Sequence, residues 1–267
     1  MNNEVDYELE NKRVLVTGST SGIGEGIAKL FAKLGASVII NGRNSGEADR
    51  VATEIKNSGG KATIILGDLS QDKEVERIVE TAIKELGGID ILVNNAGGGA
   101  HQDDMNTPPS EWLANYNTNL VSMVRLIQKL LPPMREKGWG RIINISSAAG
   151  VAPLFGQTAY STTKSAVNNL TVGFAQGLNA DGVTINTVSP GVIITSKMVE
   201  MAKTQGMGET LEEIDAACAK MMKPSPLVRM GRVEDIANVV VFLASPLAAY
   251  IHGTNVRVDG GFIPTVS

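Results

Sequence analysis

The sequence predicts an α/β fold, a doubly wound parallel sheet of about seven strands flanked by helices on both faces. Three observations carry that prediction. Short apolar runs alternate with amphipathic helical stretches along nearly the whole chain. The connections are short, which favours strand–helix–strand crossovers. Each glycine- or asparagine-rich motif falls at the carboxyl end of a strand, where open α/β sheets bind ligands. The chain has 267 residues and 43% hydrophobic content, enough for one large core, and it shows no repeat, low-complexity segment or linker. One domain over 1–267 is therefore expected.

Residues 12–17 (KRVLVT) form the predicted first strand and run into GSTSGIGEGIAKLFAKLG. Gly18, Gly22 and Gly24 permit a tight turn and close backbone approach to a ligand, while the next helix offers its first N–H groups to a phosphate. With Ser19, Thr20, Ser21 and Ile23, this turn is the first candidate cofactor-binding stretch. Its Gly-x-x-x-Gly-x-Gly spacing departs from the commoner Gly-x-Gly-x-x-Gly fingerprint. Ser37–Ile40 is the second strand and ends in Asn41-Gly42-Arg43-Asn44. An NAD site usually carries a carboxylate here for the ribose 2′-hydroxyl. Arg43, with Asn44 beside it, instead suits a 2′-phosphate, so NADPH/NADP is expected in preference to NADH.

A helix to about Ser58 and a strand at Ala62–Leu66 lead to Gly67-Asp68-Leu69. Asp68 either bonds an adenine amino group or caps a helix starting near Ser70, and the two roles are compatible. A helix to about Leu86, strand Ile89–Val93 and the turn Asn94-Asn95-Ala96-Gly97 follow. From Pro109 to about Lys137 runs one long helical pattern containing Asn119, with Pro132-Pro133 as a candidate kink. Beyond the strand at Ile142–Ile145 and a helix opening near Thr158, strand Val183–Val188 runs into Ser189-Pro190-Gly191. Residues 195–228 form a mostly helical insertion over the substrate side. Its Met198, Met201, Met207, Met221 and Met222 suit either core packing or an adaptable apolar lining. Helix Val233–Leu243, strand Asn255–Val258 and Asp259-Gly260-Gly261 close the pattern.

The chemistry concentrates in RIINISSAAGVAPLFGQTAYSTTK, residues 141–164. Ser147 closes a buried strand, and Tyr160 and Lys164 stand four apart on one helix face. A hydroxyl, a phenol and an ammonium suit proton transfer to or from a carbonyl or alcohol oxygen. A free phenol has a pKa of about 10, but an ammonium ~5.5 Å away at an effective dielectric of ~20 favours the phenolate by roughly 3 kcal/mol, or about two pKa units. None of the three groups accepts a hydride, so redox chemistry here requires an organic cofactor. Tyr-x-x-x-Lys alone is equally the spacing of an ordinary amphipathic helix, and it gains meaning from the other motifs.

A net charge of −4 gives no basic footprint for nucleic acid. No apolar run approaches the ~20 residues of a membrane span. The acidic N-terminus lacks the apolar core of a signal peptide. The lone Cys218 forms no intrachain disulfide and fits a reducing cytoplasm, where it is expected as inert packing. His101 and His252 are expected on loops, and no Cys/His cluster suggests a metal.

Taken together, Thr17-Gly18-x-x-x-Gly22-Ile23-Gly24, Asn94-Asn95-Ala96-Gly97, Asn119, Ser147, Tyr160-x-x-x-Lys164 and Pro190-Gly191 resemble the short-chain dehydrogenase/reductase family in its single-domain, Rossmann-type branch. The resemblance spans about residues 10–262. The tail, with Val258-Asp259-Gly260-Gly261, is similar to the 3-oxoacyl-carrier-protein reductases. The resemblance implies that Tyr160 protonates a carbonyl oxygen, that Ser147 orients it, and that Lys164 holds the nicotinamide ribose and lowers the Tyr160 pKa. Asn119 would hold a water linking Lys164 to solvent. Asn95, Ala96 and Gly97 would pass along the adenosine ribose, with Leu69 beside Asp68. Pro190, Gly191, Ile193 and Thr195 would serve the nicotinamide and pyrophosphate end. A homotetramer, or a homodimer, is implied, built partly on helices around 110–137 and 158–180. The expected activity is NADPH-dependent, reversible reduction of a small, mostly apolar ketone. Two alternatives stand beside it: a carrier-protein reductase of fatty-acid synthesis, and a non-catalytic nucleotide-binding scaffold. Against the carrier-protein reading, Pro132 and Gln176 occupy positions that are basic in those relatives.

Overall fold

The computed structural model describes residues 5–98, 105–178, 181–221 and 226–265, with the side chains of 219–221 excepted. Seven parallel strands form the central sheet in the order β3-β2-β1-β4-β5-β6-β9. They are β1 (Arg13–Val16), β2 (Ser37–Ile40), β3 (Lys61–Ile64), β4 (Ile91–Asn94), β5 (Gly140–Ile145), β6 (Val183–Pro190) and β9 (Asn255–Val258). The strand order reverses between β1 and β4, so the crevice outside their carboxyl ends is the ligand position of such a sheet. The intervening helices are α1 (Gly22–Lys33), α2 (Ser45–Asn57), α3 (Asp72–Leu86), α4 (Pro109–Tyr116), α5 (Ser122–Lys137) and α6 (Thr158–Gln176). Helix α9 (Val233–Ala244) packs against α1.

Period-two side chains divide the core between the two faces. Val14, Val16, Val38, Ile40, Ile91, Val93, Ile143 and Ile145 pack with Ile27, Phe31, Val51 and Val240 from α1, α2 and α9. Leu15, Ile39, Leu92, Ile142 and Ile185 pack with Ile78, Leu126 and Ile127 from α3 and α5. Burying each such side chain contributes roughly 1.5–3 kcal/mol, which fixes the strand register because a one-residue slip would exchange the faces. Gly87 and Gly138 adopt left-handed conformations that end α3 and α5.

The structure departs from the sequence expectation in four places. The long helix predicted over 109–137 is interrupted by a π-helical turn at Asn117–Val121, whereas Pro132 and Pro133 lie exposed inside a continuous α5. Helix α3 begins at Asp72 with Gln71 at its N-cap, so Asp68 does not cap it. The insertion contains α7 (Ser196–Thr204) and α8 (Leu211–Met221), and a two-stranded ribbon, β7 (Ile193–Ile194) with β8 (Gly231–Arg232), forms its base. Met198 and Met207 pack on a small core of Ile194, Ala202, Ile214, Cys218 and Met230, while Met201 is exposed. Residues 99–104 of the predicted binding loop, His101 among them, and the Met221 and Met222 side chains lie outside the described residues.

Candidate functional site

The turns after β1 and β4 are tied to each other at the point where the strand order reverses. Thr17 Oγ1 accepts hydrogen bonds from the Asn95 and Ala96 N–H groups at 2.9 Å each. Asn95 Nδ2 donates back to the Thr17 and Gly18 carbonyls at 2.9 and 3.2 Å. Gly18 sits at φ +61°, and a Cβ there would lie 2.9 Å from Ala96 Cα, so a side chain is excluded twice over. Ser21, at the N-cap of α1, makes no side-chain cap, and the first N–H groups of that helix stay available beside the cleft that Ser21 lines. Ser19 turns the other way. Its buried hydroxyl donates to the Val16 carbonyl at 2.7 Å and accepts from Asn41 N at 2.9 Å, and its own N–H bonds the Asn41 carbonyl.

A cleft of about 710 Å³ opens above these turns. Of the predicted cofactor residues, Gly18, Thr20, Ser21, Arg43, Asp68, Leu69, Asn95, Ala96 and Gly97 line it, and Asn119 lines it too. Arg43 is exposed at its edge. At the neighbouring Gly42, a Cβ would meet Thr20 Cγ2 at 2.6 Å, so a carboxylate side chain has no room at that position. The Asp68 carboxylate accepts from Ser70 N at 3.0 Å, and this bond, aided by the Arg43 charge, holds its pKa below the ordinary carboxylate value. Asn44 spends its side chain capping α2 through Glu47 N at 3.1 Å. Ile23 is half-buried against the core, and Gly24 packs on the Gly18 carbonyl.

The proton-transfer groups stand between β5 and α6. Ser147 ends the loop side of β5 and caps a short 3₁₀ turn, Ala148–Gly150, by accepting from Ala149 N at 3.1 Å. The Gly150 carbonyl then accepts from Ser165 Oγ at 2.8 Å and Asn168 Nδ2 at 3.2 Å, which docks that turn onto α6. A Cβ on Gly150 would sit 2.7 Å from the Lys164 carbonyl carbon. The hydroxyl of the preceding Ser146 points away and donates to the Lys164 carbonyl at 2.9 Å.

Lys164 is 3% exposed, and its ammonium lies 5.6 Å from the Tyr160 ring centre and donates to the Ile145 carbonyl at 2.9 Å. Burial pushes its pKa down to about 8. Burial also pushes the Tyr160 phenol above its ordinary value, against a hydrogen bond with Ser147 that acts the other way. This reverses the direction expected from proximity alone. The same desolvation acts on the ammonium beside it and lowers its own pKa.

Asn119 lies buried in the π-helical turn. Its Oδ1 accepts from Gly98 N at 3.0 Å, and a Cβ on Gly97 would sit 3.7 Å from Lys164 Nζ, so turn, amide and ammonium are contiguous. Pro190 ends β6, and Gly191 N donates to the Val258 carbonyl at 3.0 Å. Thr195 caps α7, and its Cγ2 lies 3.4 Å from where a Cβ on Gly22 would be, which brings the base of the insertion against the glycine-rich turn. Ile193 is buried and, with Gly191, lines a separate cavity of about 200 Å³.

Residues 12–206 match the family model for short chain dehydrogenase. The chain belongs to that family. It is an oxidoreductase of the short-chain dehydrogenase type, with relatives matched almost end to end. An uncharacterised oxidoreductase of Bacillus subtilis is 39% identical over 97% of this chain and 99% of its own. A 3-oxoacyl-[acyl-carrier-protein] reductase of Staphylococcus epidermidis is 36% identical, covering 94% and 98%. Among solved structures, L-sorbose reductase of Gluconobacter frateurii, complexed with NADPH and L-sorbose, superposes with a TM-score of 0.91 at 32% identity, covering 98% of this chain and all of its own. A 7α-hydroxysteroid dehydrogenase complexed with NADH and a 7-oxo bile acid gives 0.86 at 33% identity, with full coverage of both chains.

Within this dehydrogenase site, sequence reasoning passed over Thr17 and Gly150 as joints, and Asn115 entirely. Thr17 adjoins the glycine-rich turn and Gly150 adjoins the 3₁₀ turn, so both were near a signal. Asn115 stands four residues before Asn119, but a polar residue at that spacing is common on any helix.

Proposed function

We propose that this protein is an NADPH-dependent carbonyl reductase that converts a small, mostly apolar ketone to an alcohol, reversibly. The observation that carries the reading is the convergence of Ser147, Tyr160 and Lys164 beside a cleft whose other end is edged by Arg43 with no carboxylate at Gly42. The uncapped start of α1, the left-handed Gly18 and the lack of space for a carboxylate side chain at Gly42 fit a dinucleotide bearing a 2′-phosphate. Bound there, the dinucleotide would supply the hydride that none of these side chains can.

The chain's own groups do the rest. Tyr160, whose pKa burial raises, is protonated at neutral pH and donates its proton to the carbonyl oxygen during reduction. Ser147 holds that oxygen in reach of the phenol. Lys164, still mostly charged at pH 7, steadies the phenolate as it forms and holds the ribose hydroxyls. Asn119 carries the proton path from Lys164 outward. In the binding set, Thr20 and Arg43 serve the 2′-phosphate, Asp68 and Leu69 the adenine, and Asn95, Ala96, Gly97, Gly191 and Thr195 the rest of the dinucleotide. Ser19, Asn44 and Gly24 act by shaping the turns, and Ile193 backs the insertion. Helices α7 and α8 act as the substrate lid of a one-domain enzyme.

A small untethered substrate is favoured over a carrier-bound acyl chain. Arg125, Lys129, Arg135 and Lys137, the basic residues of α5, are each ion-paired within the chain, to Asp72, Glu76, Asp181 and Asp90. They are not free to receive an acidic carrier. Leu113 on α4, Val121 in the π-helical turn and Val172 on α6 are exposed at 71%, 36% and 47%, which supports helix-to-helix assembly into a homotetramer or a homodimer. Among the described residues no helix is long and apolar enough to cross a membrane, and we place the enzyme in the cytoplasm.

The test is NADPH and NADH oxidation with a panel of ketones, β-keto esters, diketones and quinones. Tyr160→Phe keeps the ring, so NADPH affinity should hold while turnover falls about 10²–10⁴-fold. Turnover within threefold of the unaltered protein would remove Tyr160 from the role. Arg43→Ala should weaken NADPH by about 1.5–3 kcal/mol and leave NADH nearly unchanged, the scale of one hydrogen bond to a charged group. Equal losses for the two cofactors would take Arg43 off the 2′-phosphate.

A further inference from the structure

We infer that Asn115 is a positioning residue that sets the orientation of Asn119 and couples it to the Tyr160–Lys164 helix, an assignment that rests on the reductase reading above. The chemistry of the donors fixes the arrangement. Gly98 N–H can only donate, so the Asn119 atom 3.0 Å from it is the oxygen. The Asn119 amide nitrogen therefore faces Asn115, where it donates to the backbone carbonyl at 3.1 Å and to the side-chain Oδ1 at 3.0 Å. The same Asn115 Oδ1 lies 3.2 Å from Thr163 Oγ1, on the residue immediately before Lys164. One amide oxygen thus joins the π-helical turn to the catalytic helix, and Asn119 carries the link on to the turn after β4.

Position and economy argue for function beyond packing. Asn115 lines the cleft together with Thr118 and Asn119. Neither neighbour needs its side chain to stay satisfied. The single Thr163 hydroxyl proton is shared with the Ala159 carbonyl at 2.8 Å, and Asn119 Nδ2 keeps the Asn115 backbone carbonyl. Removing the side-chain acceptor therefore leaves the fold intact and loosens the direction in which the Asn119 amide points. Geometry errors of this kind act on turnover more than on binding.

The experiment uses Asn115→Leu, which keeps the size and loses the acceptor, and Asn115→Asp, which keeps the acceptor. With NADPH and 2,3-butanedione as the probe carbonyl, Asn115→Leu should lower kcat about 3- to 10-fold with KM little changed, and Asn115→Asp should recover most of the loss. In an Asn119→Ala background, Asn115→Leu should cost nothing further, because its effect passes through Asn119. Amide hydrogen exchange over residues 93–98 supplies a readout independent of turnover. Exchange there should be faster in Asn115→Leu and near normal in Asn115→Asp. If the unaltered protein fails to reduce any probe, the reductase reading falls while the exchange measurement still decides the positioning role. Exchange unchanged in Asn115→Leu, an additive loss in the Asn119→Ala background, or no recovery by Asn115→Asp would overturn the assignment.

Discussion

Two charges of opposite sign, Lys164 and Asp90, are each 3% exposed and lie at opposite ends of the sheet. Asp90 stands at the amino end, before β4, and is fully partnered. Its Oδ1 accepts from Arg13 Nη2 at 2.7 Å and Lys137 Nζ at 2.5 Å, and its Oδ2 accepts from Arg13 N and Nε at 3.0 and 2.8 Å. Those donors hold its pKa far below the ordinary carboxylate value in spite of burial. Lys164, at the carboxyl end, has a carbonyl acceptor and, among the described residues, no carboxylate, and burial drives its pKa down to about 8. A buried charge with its counter-ions is a clamp. A buried charge without one stores unfavourable energy that a ligand or a developing phenolate can relieve.

Breaking the comparison at its functional end gives the largest effect. Lys164→Met keeps a long, unbranched side chain and removes the charge. Turnover should fall about 10²–10⁴-fold, and NADPH binding should weaken as well, because Lys164 serves both the phenol and the ribose. Steady-state kinetics beside a fluorescence titration of NADPH separates the two losses. A variant that keeps a tenth of its activity would show that the unpaired charge is incidental. Asp90→Ala, by contrast, should leave turnover within about threefold.

The clamp should show itself in stability. Asp90→Ala strands Arg13 and Lys137, both of which reach solvent, so the loss should lie near the lower end of what breaking a buried pair costs, about 2–4 kcal/mol by urea denaturation at pH 7. The pH dependence sharpens this. The folded pKa of Asp90 is depressed, so the unfolded chain binds the extra proton first as pH falls. The stabilisation is complete above the unfolded value of about 4 and fades below it. The gap between the unaltered protein and Asp90→Ala should therefore narrow as pH falls below about 4. A constant gap down to pH 2 would mean that packing, and not the ion pair, carries the effect.

How much of this was legible in the sequence differs between the two ends. Each strand of the sheet lay within a few residues of its predicted position, and for the central strands this is because an apolar run buried on both faces admits little else. Helical spacing placed Tyr160 and Lys164 on one face of α6, but only the family resemblance singled them out, and with them Ser147 from Ser146. The Asp90 clamp left no trace: Arg13, Asp90 and Lys137 meet only when β1, β4 and the end of α5 pack together. The π-helical turn was hidden because α4 before it buries no residue, which leaves no apolar register against which a phase slip could be read. Prolines drew attention to the wrong place, since Pro132 and Pro133 are exposed and the helix runs through them. The direction of the Tyr160 shift was missed for a plainer reason. Spacing reports that an ammonium is near, but the cost of burying the phenolate outweighs it, and burial is a property of the fold.

The smallest effect is also the one that separates the two charges by sign. At neutral pH the folded protein holds Lys164 charged at a cost, because its folded pKa of about 8 lies below the ordinary lysine value. Between about pH 8 and 10.5 the unfolded chain binds a proton that the folded chain has lost, so stability should rise with pH across that window on account of this group. Lys164→Met removes the cost outright, less the hydrogen bond to the Ile145 carbonyl. We expect it to be more stable than the unaltered protein by about 1–2 kcal/mol at pH 7, with the gain shrinking as pH passes through 8 toward 10. Paired denaturation curves at pH 7 and pH 9.5 measure it. A loss of stability at pH 7 of the size seen for Asp90→Ala would mean that Lys164 is a clamp as well, and that the contrast between the two ends of the sheet does not hold.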